Sequence, residues 1–410
     1  LERLAGYQDF LMTSNLAAKE IRMGRLGDRL RHRFVELRKQ INETQLEILR
    51  RQSKAELWTA ALGAIVFAVS IGFLVLETAA GRQTVGDLVF FVLIFRRAET
   101  SGREFVSSLS QLYDDQLYLS QLFEFLDVEP RIMPAANPKA VPGSLNDGLR
   151  LENVSFRYPG TETQTLAGVD IALPAEKVVG LVGENGSGKT SVVKLLLRYY
   201  DPDEGKLTFD GTDIRSFDPV AYRARFSAIF QDHVRYANTV ADNISFGSHD
   251  DVADQFRLIA AAKQSGAMKV IESLPDGFAT SLSRVFDDGA EISLGQWQRI
   301  AISRALYPKS SVVILDEPTS AIDAQAEAQL FEGFRAALNG RAALLISHRL
   351  TSLQHADYIY LLRAGQVVEE GAFKDLVKAE TAFRSLFAAQ FTDRLVEGSS
   401  RGEYARDAIS

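Results

Sequence analysis

The first 54 residues are polar and helical in pattern, rich in arginine and without proline, so they predict long helices. The pattern then changes. From Leu57 to Leu76 twenty consecutive residues carry no charge, between Glu56 and Glu77, and at about 1.5 Å per residue such a helix matches the ~30 Å hydrocarbon core of a bilayer. The alternative is a buried core helix, but soluble helices of this length normally keep a polar face. Trp58, at one end, is a residue type that favours the membrane interface.

A polar turn from Glu77 to Thr84, with Gly81, leads to a second apolar run, Val85 to Phe95, interrupted by Asp87 and stopped by Arg96 and Arg97. Alone this run is too short to span. As the returning half of a helical hairpin it continues as an amphipathic helix through Phe105, Leu109, Leu112, Leu119, Leu122 and Phe125, giving expected spans at about 57–76 and 83–105. Arginine and lysine crowd the outer flanks, from Arg22 to Lys54 and again at Arg96, Arg97 and Arg103, whereas the turn holds only Arg82. The positive-inside rule therefore puts both flanks in the cytoplasm.

Past this region the proline-rich stretch Glu129 to Gly143 resists regular structure and marks a boundary, so residues 129–148 read as a linker between a helical domain at 1–128 and a second domain. In that second domain, β-type segments at Leu149–Tyr158, Val178–Val182, Val312–Leu315 and Ala343–Ser347 alternate with helical ones. The alternation predicts an α/β domain with a largely parallel sheet over 149–390, with a tail at 391–410.

Composition adjusts this picture in three ways. A length of 410 residues fits two or three domains, and 46% hydrophobic with 24% charged residues excludes disorder as the main state. The formal charge of -7 argues against nucleic acid as the chief partner. The absence of cysteine removes disulfides, thiolate metal sites and thiol nucleophiles. A mean hydropathy of -0.05 looks soluble only because it averages the apolar hairpin with polar surroundings.

The chemistry is concentrated in the α/β part. Gly183, Glu184, Asn185, Gly186, Ser187, Gly188, Lys189 and Thr190 form a P-loop, GENGSGKT, directly after one apolar strand and directly before the helical run that starts at Ser191. In such a loop glycines let the backbone wrap a phosphate, the lysine bridges β- and γ-phosphate oxygens, and the threonine hydroxyl ligates Mg²⁺. A second strand, in SVVILDEPT, ends in Asp316 and Glu317. With a P-loop in the same chain, Asp316 is placed to hold Mg²⁺ through water and Glu317 to orient or deprotonate the attacking water.

This ordered set of motifs resembles the ATP-binding cassette (ABC) superfamily and, with the membrane hairpin, its exporter type, as a bacterial-like half transporter. The resemblance implies a helical membrane domain fragment plus an α/β P-loop ATPase domain with antiparallel β and helical subdomains. It implies ATP and Mg²⁺ as ligands. By motif position, Tyr158 in FRYPG would stack on adenine, Gln231 in IFQD would touch Mg²⁺ and the attacking water, and His348 in LISHRL would contact the γ-phosphate. Ser293, Gly295 and Gln296 in ISLGQ match the signature that binds ATP held by a second cassette, and Asp323 in SAID matches a loop that crosses the same interface. His32, His233, His249 and His355 carry no assigned role.

Leu294 stands where the family signature has its first glycine. If that position needs a positive φ, leucine would cost roughly 1 to 2 kcal/mol and weaken the ATPase. Tyr7 to Gly24 is similar to the end of a membrane helix followed by a coupling helix at about 14–24. Exporter halves have six spans, so two spans and Leu1 in place of an initiator Met imply a chain lacking its first spans. The expected partners are a second half transporter, identical or different, the plasma membrane, which the chain crosses more than once with its ATPase domain in the cytoplasm, and a small-molecule, lipid or peptide cargo. The competing readings are a regulatory or weakly active half of a heterodimer and a soluble ABC switch that does not transport.

Overall fold

The structure is a computed structural model and describes residues 1–15, 17–248, 253–283, 289–319, 327, 331, 335–378, 381–388 and 390. The chain divides into two compact units, Leu1–Val128 and Glu129–Ser410.

The first unit is helical, with α1 (Glu2–Thr13), α2 (Ala18–Met23), α3 (Gly27–Ala79) and α4 (Val85–Leu126). α3 runs for 53 residues, so the basic polar stretch and the apolar stretch are one continuous helix. The chain reverses after Ala79, and Phe67 of α3 meets Phe91 and Phe95 of α4 at ring-centroid distances of 6.5 and 4.8 Å. Asp87, which breaks the apolar run in the sequence, has a structural task here. Its carboxylate accepts hydrogen bonds from the Thr84 N–H at 2.9 Å and the Thr84 hydroxyl at 2.7 Å, closing a capping box that starts α4.

Among the described residues, α3 is the one helix long and apolar enough to cross a membrane, and none of its apolar window is buried. α4 does not reach the same length of charge-free apolar sequence.

The second unit contains β1 (Gly148–Arg157), β2 (Gln164–Pro174), β3 (Val178–Val182), α5 (Lys189–Leu196), β4 (Glu204–Phe209), β5 (Thr212–Asp213), α6 (Pro219–Arg223) and β6 (Phe226–Ile229). It continues with α7 (Val240–Ser245), α8 (Gln255–Gln264), α9 (Met268–Glu272), α10 (Leu294–Leu306), β7 (Val312–Asp316), β8 (Ala342–Ile346), β9 (Tyr358–Arg363) and β10 (Gln366–Gly371). One sheet is antiparallel, in the order β2-β1-β4-β5; the other has six strands in the order β10-β9-β3-β8-β7-β6. In the six-stranded sheet only the edge pair β10–β9 is antiparallel.

The strands β3, β7 and β8 are buried along their whole length, as parallel strands covered on both faces must be. Alternate residues of β3 serve two cores. Val178 and Val182 pack into a helical layer with Trp297 and Ile300 of α10, while Val179 and Leu181 pack into a layer with Leu166 of β2, Val192 of α5 and Phe209 of β4. The six-stranded sheet is therefore the middle layer of the unit, and the C-terminal ends of its strands are where loops can carry chemistry.

The proline-rich stretch is strapped to this unit. The Lys139 N–H donates to the Ser216 carbonyl at 2.9 Å, Arg198 Nη2 to the Met133 carbonyl at 3.3 Å, and the Asp210 carboxylate accepts from the N–H groups of Asp147 at 2.8 Å and Gly148 at 3.0 Å. Residues that cannot build a ladder of their own take their partners from the domain beside them.

Candidate nucleotide site

The P-loop follows β3 without a spacer, and its backbone needs glycine at two points. Gly183 has φ +154°, and a Cβ there would fall 2.1 Å from the Leu362 carbonyl oxygen and 2.6 Å from Ser187 Oγ. Gly188, at φ +108°, is the residue from which α5 starts, and a Cβ on it would meet Leu166 at 2.6 Å. Lys189 folds its side chain back over the loop, donating from Nζ to the carbonyls of Gly183 at 2.7 Å and Glu184 at 2.9 Å. Burial pulls its pKa down, against the opposing pull of the Glu317 and Asp316 charges.

The loop fits a phosphate chain. Ser187 Oγ is buried without a hydrogen-bond partner, and Gly186 has open space where a side chain would be. An unpaired buried hydroxyl beside a free helix N-terminus and a lysine is a donor set waiting for an anion.

β7 delivers the two carboxylates. Asp316 closes the strand, 7% exposed, and its pKa is pushed up to about 6, first by burial and next by the negative charge of Glu317, with Lys189 working the other way. Glu317 leaves the strand with φ +50°, a left-handed conformation that costs a side-chain-bearing residue roughly 1 kcal/mol. Its N–H is fixed on the Ile346 carbonyl of β8 at 2.9 Å. The turn throws the carboxylate between two partners: Oε2 accepts from Gln231 Nε2 at 3.1 Å and Oε1 from His348 Nε2 at 3.0 Å. Burial and the nearby Lys189 lower the His348 pKa, against the pull of Glu317. A neutral imidazole donating from Nε2 accounts for that contact.

Gln231, Glu317 and His348 are thus brought together from the ends of β6, β7 and β8, which are neighbours in the sheet, and β3 with the P-loop lies next to β8. This donor set also fits Mg²⁺. Asp316 and Glu317 concentrate negative charge near Lys189, whose neighbour in the chain is the exposed Thr190, and no cluster of three His, Cys, Asp or Glu ligands exists among the described residues. Mg²⁺ binds in such places through one or two carboxylates, water and substrate phosphates.

Tyr158 has more partners than its position in the sequence discloses. Its hydroxyl is 3.0 Å from Ser191 Oγ, the Lys194 ammonium sits 5.0 Å from its ring centroid, and Phe156 and Tyr200 meet it edge to face. Ser191 is consequently held by Tyr158. The exposed Glu184 and Asn185 complete the P-loop.

Ser293, Gly295 and Gln296 lie at the start of α10. Ser293 Oγ accepts from the Gln296 N–H at 3.3 Å and Gln296 Oε1 from the Ser293 N–H at 2.8 Å, so both side chains form a capping box. Leu294 is the first residue of this helix, and its φ is not positive. The strain expected of leucine at this position is therefore absent. Its side chain is half exposed. Asp323, with the rest of the loop Ser320–Asp323, lies outside the described residues.

One site residue escapes the sequence reading. Gln298, 2% exposed on α10, donates from Nε2 to the Glu317 carbonyl at 3.2 Å and so ties the signature helix to the turn that carries the carboxylate. A glutamine flanked by Trp297 and Ile300 on the buried face of α10 was the available signal.

Comparison with known proteins agrees with this geometry. Residues 166–320 match the ABC transporter family. The chain is 30% identical over 387 residues to the subtilin transport ATP-binding protein SpaT of Bacillus subtilis, covering 94% of this chain and 62% of that protein. It is 32% identical over 334 residues to the ATP-dependent lipid A-core flippase of Ralstonia nicotianae, covering 81% and 55%. A solved structure of a bacterial Atm1-family ABC exporter with ATP bound superimposes with a TM-score of 0.81 at 25% identity, covering 92% of this chain and 65% of that one. Residues 166–320 are thus an ABC transporter domain, and the fold of the chain is that of the Atm1-family exporter it superimposes on: a helical region followed by the ATP-binding domain. It spans between about half and two thirds of the length of these relatives.

Proposed function

We propose that this chain is part of an ATP-driven exporter in which ATP is hydrolysed between two cassettes. The observation that carries this reading is the Glu317 carboxylate, held between Gln231 and His348 beside the P-loop lysine. In this arrangement Ser187 and the P-loop backbone take the phosphates, Lys189 releases its two carbonyls in favour of phosphate oxygens, and Tyr158 offers its ring to adenine. Thr190, Asp316 and Gln231 would hold Mg²⁺, which supplies positive charge to the phosphates when bound. Glu317 takes the proton from, or orients, the attacking water, with His348 and Gln231 fixing the carboxylate and facing the γ-phosphate.

The signature residues Ser293, Gly295 and Gln296, with Asp323, would complete the site of a second cassette, so the working unit is a dimer, with itself or with a related half. α2 takes the coupling role, passing cassette movement to the membrane helices. The exposed apolar window of α3 favours a membrane-embedded exporter over a soluble ABC switch, since water would otherwise meet a long uncovered apolar stretch. An intact set of Lys189, Asp316, Glu317 and His348 favours a competent site over a purely regulatory half. Relatives are named for transport of subtilin and nisin and for flipping lipid A-core, so cargo classes of peptide, lipid and small molecule stay within the proposal.

The test is Glu317→Gln. The variant is expected to bind ATP as the parent does, to accumulate as an ATP-bound dimer and to lose at least about a hundredfold in ATPase rate, the size of a removed general base. Parental turnover in this variant removes Glu317 from the role.

A further inference from the structure

His348 reaches Glu317 from a turn of only three residues, Ser347 to Arg349, between β8 and the short helix Leu350–Leu353. So short a turn, with the histidine side chain 37% exposed, has little of its own to hold the imidazole at its 3.0 Å distance from the carboxylate. Two side chains from other parts of the chain grip it. Glu327, 1% exposed, accepts from Arg349 Nη1 at 2.7 Å, from the Ser352 hydroxyl, and from the Thr319 hydroxyl at 3.1 Å. Gln390 grips the backbone: its Nε2 donates to the His348 carbonyl at 2.8 Å and its Oε1 accepts from the Leu350 N–H at 3.0 Å.

The chemistry of this grip is unusual for a mere surface loop. A carboxylate is expensive to bury, and Glu327 accepts from three donors: Arg349 and Ser352, which follow His348 in the chain, and Thr319, two residues beyond the Asp316–Glu317 turn. It therefore ties the segment carrying the catalytic carboxylate to the segment carrying its histidine partner. Gln390 uses both ends of its amide on the two peptide groups on either side of Arg349, one of which carries the His348 carbonyl, and this fixes the direction of the His348 backbone. Among the described residues, neither Glu327 nor Gln390 bonds to the P-loop or to Glu317.

We propose that Glu327 and Gln390 are positioning residues, a two-sided clamp that sets His348 against Glu317. The proposal rests on the reading that His348 acts in hydrolysis. A displaced catalytic group loses rate without losing substrate affinity, because the clamp touches no group in the nucleotide cradle.

The experiment uses the whole protein in detergent or membranes and measures kcat, KM for ATP and melting temperature for Glu327→Gln, Gln390→Ala, His348→Ala and each clamp variant combined with His348→Ala. Each clamp variant is expected to lower kcat on the order of tenfold, with KM within about twofold and normal melting. In the His348→Ala background neither should lower kcat further, since each acts through that side chain. Parental kcat in both clamp variants, or losses that add fully to that of His348→Ala, overturns the clamp while leaving the role of His348 standing. Parental kcat in His348→Ala overturns that role and the clamp with it. Should Glu327→Gln fail to fold, Gln390→Ala, a neutral and half-buried site, carries the same comparisons.

Discussion

At the end of β7 a carboxyl group with a pKa near 6 sits next to a second carboxylate, and the two are not equivalent. Asp316 is raised first by burial and then by Glu317, whereas an unfolded chain would ionise it near the ordinary value of about 3.9. The stability that its proton supplies is therefore fully present below about pH 4 and lost as pH rises through about 6. At neutral pH, without nucleotide or Mg²⁺, this pair carries a repulsion that a cation would relieve. Removing that charge with Asp316→Asn should flatten this dependence. Between about pH 5 and pH 7.5, in the absence of nucleotide and Mg²⁺, the parent should lose more melting temperature than the variant does. Thermal unfolding at both pH values checks this, and equal losses in the two proteins dismiss the electrostatic account. The same variant should no longer be stabilised by Mg²⁺ added with ATP.

Helix α10 shows how an element can hold a functional motif without strain. Its start is capped by Ser293 and Gln296, which bond to each other, and Leu294 occupies the first helical position with ordinary φ. That geometry sets the outcome of two substitutions. Ser293→Ala should cost on the order of 1 kcal/mol through loss of the cap, in addition to any loss of cross-dimer nucleotide contact. Leu294→Gly should lower stability slightly or leave it unchanged, because glycine relieves nothing where φ is negative and loosens the unfolded chain. A rise in melting temperature for Leu294→Gly would reinstate the strained signature. The legibility of the site in the sequence divides along the same line, between local pattern and distant partners. Asp316, Glu317, His348 and Gln231 each lie at or just beyond the end of an apolar strand, and Lys189 closes the glycine loop that follows one; a run of apolar residues ending in a polar one, or in a glycine-rich loop, is visible in a single chain. Gln298, Glu327 and Gln390 are not visible in this way, since their partners lie 19, 22 and 42 residues off along the chain and meet them only once the sheet has ordered its strands. Nor does periodicity reveal that Asp87 is a helix cap or that the proline-rich stretch is bound to the domain behind it.

At the scale of the chain, the two units pose opposite problems of solvation. The α/β unit buries β3, β7 and β8 completely, and its polar groups at the strand ends face one another across a site. In the helical unit, α3 carries Leu57, Leu62, Ile65, Val69 and Phe73 at 60% exposure or more, on a stretch with no charge between Glu56 and Glu77. Apolar surface left in water costs about 25 cal/mol per Å², so a stretch this long must be covered by lipid or by other helices. The arginine-rich sequence that precedes it fits lipid as the cover, in keeping with the positive-inside rule. A charge at the middle of the helix distinguishes the two covers. Val66→Arg adds about 2.5 to 3.5 kcal/mol to insertion at the centre of a membrane helix. With a marginal returning helix behind it, whose apolar run is cut by Asp87 and ended by Arg96 and Arg97, the double variant Val66→Arg with Val69→Arg should release the chain from membranes on alkaline extraction. The α/β unit should still fold and bind ATP in the released chain, since among the described residues none of its core comes from α3. Parental resistance to extraction in the double variant would show that α3 is covered by protein rather than lipid, and the membrane reading of residues 57–76 would fall.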